Sequence, residues 1–279
     1  MSDLPIVTGS LLLRDLSNLG VARGQVVMLH ASVKAIGWIV GGPDMVLQAI
    51  LEVLTPTGTL VMLASWEDNP YDLKRWPEAR RRAYEEECPA YDPATSRTDH
   101  REMSILAEYL RTWPGALRST HPFSYVAVGA RAQYLVADHP LQYGNGPGSP
   151  LAKLCELGGK VLLLGPLFRN LTILHHAEHL ANVASKRLDR YRMPVLRDGR
   201  RVWVEIEEYD TTLGIVDWPD DYFQTIALEC LASGQGRCGM VGVAQSYLFD
   251  AASLVQFGVQ WMEEHFAGRV GDCEASRSQ

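Results

Sequence analysis

The pattern of apolar and polar positions is densest around residues 161–186. Val161, Leu162, Leu163 and Leu164 form a short apolar run that stops at Gly165, the pattern of a buried strand ending in a turn. Beyond it Leu171, Leu174, Ala177, Leu180, Ala181 and Ala184 recur at intervals of three and four, which predicts a helix over 171–186. Thr172, His175 and Glu178 lie three apart and share one face of that helix. A hydroxyl, an imidazole and a carboxylate grouped there read as a catalytic base with its supports.

The rest of the pattern predicts alternating strands and helices. Residues 8–19 form a helix with Ser10 as its cap and Gly20 as its stop. Residues 25–30 form a strand, a helix opens at Gly41-Gly42-Pro43 and runs to Leu54, and residues 57–64 return as a strand. Strand, helix, strand at this spacing is a βαβ unit, so part of the sheet is parallel. Residues 66–103 lose the regularity apart from a helix around 74–87, and so long an insertion after a parallel strand falls at the edge where α/β proteins bind ligands. Further helices are expected over 103–112, 130–138, 222–232 and 251–266, and after Ser149-Pro150. Strands are expected over 125–129, 160–165 and 240–249. Asp198-Gly199 between Tyr191–Leu196 and Arg201–Glu207 reads as the turn of an antiparallel hairpin. The expected fold is a single α/β domain over 1–279: a mixed sheet flanked by helices in three layers, with the hairpin near 191–207. Its core spans about 8–267, and 268–279 form a disordered tail.

Composition narrows the class of function. With 47% hydrophobic and 21% charged residues the chain is an ordinary globular one. It has no 18-residue apolar run and no secretory pattern at its start, so neither a membrane nor export is expected. Five cysteines without C-x-x-C spacing suit reduced thiols in a cytoplasmic protein. The net charge of −7 disfavours nucleic acid and suits a cationic partner.

Three candidate sites follow. His30–Gly37, with Gly41-Gly42-Pro43, is a strand end that feeds a glycine-opened helix. It offers backbone N–H groups to an anion, with Lys34 adding charge, although an ordinary strand-to-helix turn has the same pattern. It is neither G-x-G-x-x-G nor a P-loop. The His175 helix admits three readings: an acid–base histidine, histidines that satisfy structural hydrogen bonds, or a metal site using His175 and His179. The order of Glu178 relative to these histidines is not that of H-E-x-x-H zinc sites. The third candidate is acidic: Glu67, Asp68 and Asp72, then Glu207, Glu208, Asp210, Asp217, Asp220 and Asp221. With Trp66 and Tyr71 these carboxylates would suit a polyamine-like substrate.

Taken together, these blocks resemble the aminoglycoside 3-N-acetyltransferase family, which does not have the GNAT fold. The carriers are Leu29–Gly37, Ala64–Glu67, Tyr91–Thr95, Arg118–Pro122, Ser149–Leu151, Lys160–Gly165, Thr172-x-x-His175-x-x-Glu178 and Tyr247–Asp250, spread from about Leu12 to Phe266. The resemblance implies transfer of an acetyl group from acetyl-CoA to the 3-amino group of a 2-deoxystreptamine aminoglycoside, an antibiotic-resistance activity. It implies that His30, Ala31, Ser32, Val33, Lys34 and Gly37 hold the cofactor, with Ser119 and His121 on the cofactor side, and that the catalytic histidine is His175. An ammonium must lose a proton before it attacks a thioester, and an imidazole is suited to take it. Glu178 or Asp210 would fix the tautomer, and Thr172 or backbone N–H groups near Ser32 would donate to the oxyanion. Direct transfer in a ternary complex assigns no cysteine a role. Trp66, Glu67, Asp68, Tyr71, Asp72, Glu207, Asp210 and Asp221 are the expected substrate contacts, and no metal ligand is assigned. The competing expectations are a different amine substrate, a metal-dependent hydrolase, and a binding protein without chemistry. A homodimer is a candidate assembly.

Overall fold

The computed structural model describes residues 5–266 apart from Asp72 and Asp220, so the expected tail from 268 lies outside the described residues. The chain opens with a short strand, Ile6–Val7 (β1), and the helix Gly9–Leu19 (α1). The strand Val26–Ala31 (β2), one helical turn at Val33–Ile36 (α2) and the short strand Trp38–Ile39 (β3) follow. The helix Asp44–Leu54 (α3) and the strand Thr59–Leu63 (β4) complete the first βαβ unit. The insertion carries the helices Glu78–Glu87 (α4), His100–Met103 (α5) and Ile105–Arg111 (α6). It returns through Leu117–Arg118 (β5) into Tyr125–Gly129 (β6). Helices Ala132–Val136 (α7) and Pro150–Glu156 (α8) lead to the strand Lys160–Leu164 (β7) and the helix Ile173–Leu180 (α9). A long hairpin of Leu188–Arg197 (β8) and Arg200–Tyr209 (β9) precedes the helix Tyr222–Ala232 (α10). Strands Gly236–Val241 (β10) and Ala244–Asp250 (β11) and the helix Ala251–Phe266 (α11) close the described chain.

Seven strands form one sheet in the order β10-β11-β7-β2-β4-β6-β5. The central three, β7, β2 and β4, run parallel, and each edge is finished by antiparallel strands. Because both faces of the central strands are covered, they read as continuous apolar runs rather than alternations. Val26, Met28, Val161 and Leu163 point into one core with α7, α8, α9, α10 and α11. Val27, Leu29, Leu162 and Leu164 point into the other with α1, α3 and α6. This is the expected three-layer α/β/α arrangement. No helix among the described residues is long and apolar enough to cross a membrane.

Four local expectations are corrected. The cap of α1 is Thr8, whose hydroxyl accepts from the Leu11 N–H at 3.3 Å, and Ser10 lies inside the helix. The helix expected over 171–186 spans only 173–180. Its apolar spacing continues past Ala181, but the Asn182 N–H is taken by Glu263 at 2.7 Å and the chain leaves the helix there. The strand expected over 240–249 is the hairpin β10–β11, broken at Gly242, whose positive φ of 59° makes the turn. The hairpin β8–β9 is antiparallel as expected, but it forms a two-stranded sheet of its own instead of joining the main one. Its inner residues Tyr191, Met193 and Ile206 make a separate small core with Tyr71 and Leu141.

Gly129 shows how closely the main sheet is packed at one end. It adopts φ 124°, and a β-carbon there would lie 2.2 Å from the Gly58 carbonyl oxygen, a rigid backbone neighbour. Gly158 also has positive φ, 61°, but faces open space. Gly129→Ala is therefore expected to destabilise the protein by roughly 3 kcal/mol or more, whereas Gly158→Ala costs only about 1 kcal/mol. Paired thermal or urea denaturation curves check this, and equal losses would contradict it.

Candidate active site

The three parallel strands β2, β4 and β7 end on the same side of the sheet, and a cleft of about 970 Å³ opens beyond those ends. His30–Lys34 follow from β2, Glu67 and Tyr71 from β4, and Leu167, Arg169, Asn170, Thr172 and His175 from β7. The opposite wall is α5 with its neighbours, Asp99–Ile105, and Thr211 and Thr212 reach in from the segment after the hairpin. A smaller recess of about 580 Å³, lined by Trp66, Asp68 and Arg97, shares Glu67, Asp99, His100 and Arg101 with the cleft.

His175 is presented by the way β7 ends. Gly165, at φ 104°, turns the chain off the strand, a 3-10 turn spans Phe168–Asn170, and α9 begins with Ile173 and Leu174 buried in the core. The His175 side chain is 15% exposed and lies at the cleft. Its Nδ1 is 2.6 Å from Oε2 of Glu178, one helical turn on and only 1% exposed. An ionised carboxylate only accepts, so this bond places the imidazole proton on Nδ1 and leaves the lone pair on Nε2. The other carboxylate oxygen of Glu178 accepts from the hydroxyl of Tyr222 on α10. The Phe223 ring stands edge-on to His175 with centroids 4.9 Å apart.

The other histidines of α9 face elsewhere. His176 Nδ1 meets the Asn145 carbonyl at 2.9 Å, and His179 Nε2 lies 2.6 Å from the buried Glu208 of β9. Glu208 also accepts from the Asn145 N–H at 3.2 Å, so these contacts tie the hairpin to α9 and to the 139–149 loop. Among the described residues no three His, Cys, Asp or Glu side chains come together as a metal-binding group.

The remaining expected site residues divide by position. His30, Ala31, Ser32, Val33 and Lys34 line the cleft. His30 is 8% exposed, its Nε2 has no hydrogen-bond partner among the described residues, and burial lowers its pKa to about 4, so it is neutral at pH 7. The Ser32 side chain leaves the N-terminus of α2 uncapped, so the first amides of that turn have no side-chain acceptor. Gly37 does not line the cleft. At φ 116° it turns the chain into β3, where a β-carbon would lie 2.9 Å from the Pro5 carbonyl. Ser119 and His121 lie behind the cleft wall: the Ser119 hydroxyl accepts from Tyr125 N–H at 3.0 Å, and His121 Nδ1 accepts from Phe123 N–H at 2.9 Å.

Of the expected substrate contacts, Glu67 and Tyr71 reach the cleft, Trp66 and Asp68 the smaller recess, and Asp72 lies outside the described residues. Glu207, on the hairpin, is engaged by Arg190 of the facing strand and by Tyr143 of the 139–149 loop. Asp210 accepts from the N–H groups of Thr212 at 2.9 Å and Leu213 at 2.8 Å, so it shapes the segment that carries Thr211 and Thr212 and does not contact His175. Arg187 closes the same segment, donating to the carbonyls of Leu213 and Gly214 and to Asp217. Asp221 caps α10 and pairs with Arg169 at 3.2 Å. Not anticipated were Asn69, Asp99, His100, Arg101, Glu102, Asn170, Thr211, Thr212 and Tyr222. The capping run Asp99-x-x-Glu102 and the Asx turn at Asp210 were the available signals for two of these stretches.

The family model for aminoglycoside 3-N-acetyltransferase matches residues 28–263. This chain belongs to that family. Aminoglycoside N(3)-acetyltransferase III of Pseudomonas aeruginosa is 49% identical over 269 residues, covering 95% of this chain and 97% of the relative. The crystal structure of aminoglycoside acetyltransferase AAC(3)-Xa superposes with a TM-score of 0.89 at 44% identity, covering 94% of each chain. A binary complex of AAC-IIIb with CoASH gives a TM-score of 0.87 at 45% identity, covering 94% of this chain and 98% of that one. The aminoglycoside 3-N-acetyltransferase family thus accounts for the three-layer fold.

His121 and His139 form a buried stacked pair, ring centroids 4.7 Å apart, behind the cleft. Burial lowers the His121 pKa to about 4, and His139 is likewise pushed well below the usual range, by burial and then by its neighbour His121. Between pH 4 and 6.5 the unfolded chain binds protons that the folded one refuses, so stability is present above this window and lost as pH falls through it. At pH 5 His121 alone should cost roughly 2 kcal/mol relative to pH 7. Urea midpoints at the two pH values check this, and a loss that persists undiminished in His121→Phe would assign it to other groups.

Proposed function

We propose that this protein transfers the acetyl group of acetyl-CoA to the 3-amino group of 2-deoxystreptamine aminoglycosides, directly and within a ternary complex, with His175 as the general base. The observation that carries the reading is the His175–Glu178 pair opening on one cleft with the His30–Lys34 segment, in a chain of this family. The cleft residues fit a phosphorylated cofactor: Lys34, Arg101 and Arg169 supply positive charge, and the uncapped amides of α2 supply donors. When bound, acetyl-CoA supplies an acetyl group activated as a thioester. The CoASH complex of the related structure supports this choice of cosubstrate.

On the acceptor side, Glu67, Asp99 and Glu102 place carboxylates on the cleft where ammonium groups of a polycation would be held. The attacking amine must be neutral at the moment of attack. Nε2 of His175 takes its proton as the C–N bond forms, and Glu178 stabilises the imidazolium until that proton is returned to the thiolate that leaves when the C–S bond breaks. Thr172 lines the cleft one turn before His175; its hydroxyl donates to the Asn170 carbonyl at 3.3 Å, and turned from that carbonyl it would donate to a developing oxyanion. None of the four described cysteines lines the cleft, and burial raises the thiols of Cys155 and Cys230 to about 12 and 11, which favours direct transfer over a cysteine-bound acetyl group. We assign the protein to the cytoplasm, where its cosubstrate is available.

The test is thiol release from acetyl-CoA with and without a panel of 2-deoxystreptamine aminoglycosides. Release should require the antibiotic, and His175→Ala should lower kcat by roughly 10²–10⁴ while CoA still binds. Antibiotic-independent release would point to another acceptor. Full activity in His175→Ala would remove it as the base.

A further inference from the structure

One residue outside α9 that hydrogen-bonds to the proposed base pair is not contained in the motif Thr172-x-x-His175-x-x-Glu178. Tyr222 opens α10 with its hydroxyl buried against Glu178, and its ring is packed edge-on to Phe223 and Phe266 at 5.1 and 5.4 Å. The hydroxyl accepts from the Ile215 N–H at 3.3 Å and donates to Oε1 of Glu178, while Oε2 of the same carboxylate holds His175. Gly214 leaves room for it: at φ 78°, a β-carbon there would stand 2.8 Å from the Tyr222 oxygen. Burial raises the phenol's pKa far above its ordinary value, so the hydroxyl remains a donor at any working pH.

We propose that Tyr222 is a positioning residue for the acetyl transfer: its hydroxyl fixes the Glu178 carboxylate and sets how strongly that carboxylate holds a protonated His175. The inference rests on His175 being the base. A donor on Oε1 draws charge away from Oε2, weakens the pull on the imidazolium, and keeps the imidazole from being protonated too early to act as a base. The other charges near the pair come from three directions. Lys186, beyond α9, interacts electrostatically with Glu178. Arg169, in the turn before α9, is paired with Asp221 at the start of α10. Lys34 and the neutral His30 stand on the cleft wall. None of these is altered by removing one phenolic oxygen.

The experiment is the pH profile of kcat/KM for wild type, Tyr222→Phe, Glu178→Gln and the double variant, with thermal midpoints to confirm folding. In Tyr222→Phe the acid limb should move to higher pH by roughly half to one unit, with the plateau kcat lowered about two- to tenfold and both KM values unchanged. In the Glu178→Gln background the same change should move the limb no further, because the effect passes through that carboxylate. If Tyr222→Phe does not fold, Gly214→Ala, which crowds the same hydroxyl, carries the test and should shift the limb in the same direction. An unmoved limb, or an equal shift in both backgrounds, overturns the proposal for Tyr222. A His175→Ala variant that keeps its turnover overturns the base assignment itself, so the two failures are told apart.

Discussion

The arrangement of the site depends on burying one carboxylate. Glu178 is 1% exposed, and an ionised carboxylate taken that far from water persists only if its oxygens are hydrogen-bonded. It has two donors, from α9 itself and from α10, so the requirement couples a short helix to one more than forty positions later in sequence. The same contact that satisfies the buried charge orients His175. Here stability and the proposed chemistry ask for one geometry.

That geometry is placed by the sheet. Three parallel strands deliver their chain ends to one edge, and the cleft opens beyond them. The cleft is therefore a consequence of the βαβ winding, while the walls that give it character come from the insertion at 66–105, with its helix α5, and from the segment at 210–212. The buried polar cluster of His176, His179, Asn145 and Glu208 secures the separate hairpin against α9. Burial of these partnered groups fixes how the hairpin sits beside the sheet.

How much of this was legible in the sequence followed the physics of each element. The apolar runs of β2, β4 and β7 and the His175-x-x-Glu178 spacing are local patterns, and they led directly to the sheet and to the pair at 2.6 Å. Positions set by distant partners were not legible. The end of α9 depends on Glu263, more than eighty residues away, and the apolar period carries straight past it. Glu207 and Glu208 are adjacent acids in the sequence, yet strand alternation sends one outward to Arg190 and the other inward to His179. Charge alone could not separate solvent-facing, capping and cleft-lining carboxylates. Tyr222 was invisible for the same reason, since nothing local marks a tyrosine whose hydroxyl bonds to the Ile215 amide and to a carboxylate on another helix.

Arg187 has a consequence of a different kind. It secures the 210–217 segment largely by donating to the carbonyls of Leu213 and Gly214, groups that every amino acid carries. A loop buckled through its backbone can exchange side chains without losing its path. Thr211 and Thr212 can thus be replaced one at a time, each change reshaping the cleft rim while His175 stays where it is. With His175 as the proposed base, a rim built this way would let acceptor preference change by single substitutions while the proposed catalytic pair keeps its place.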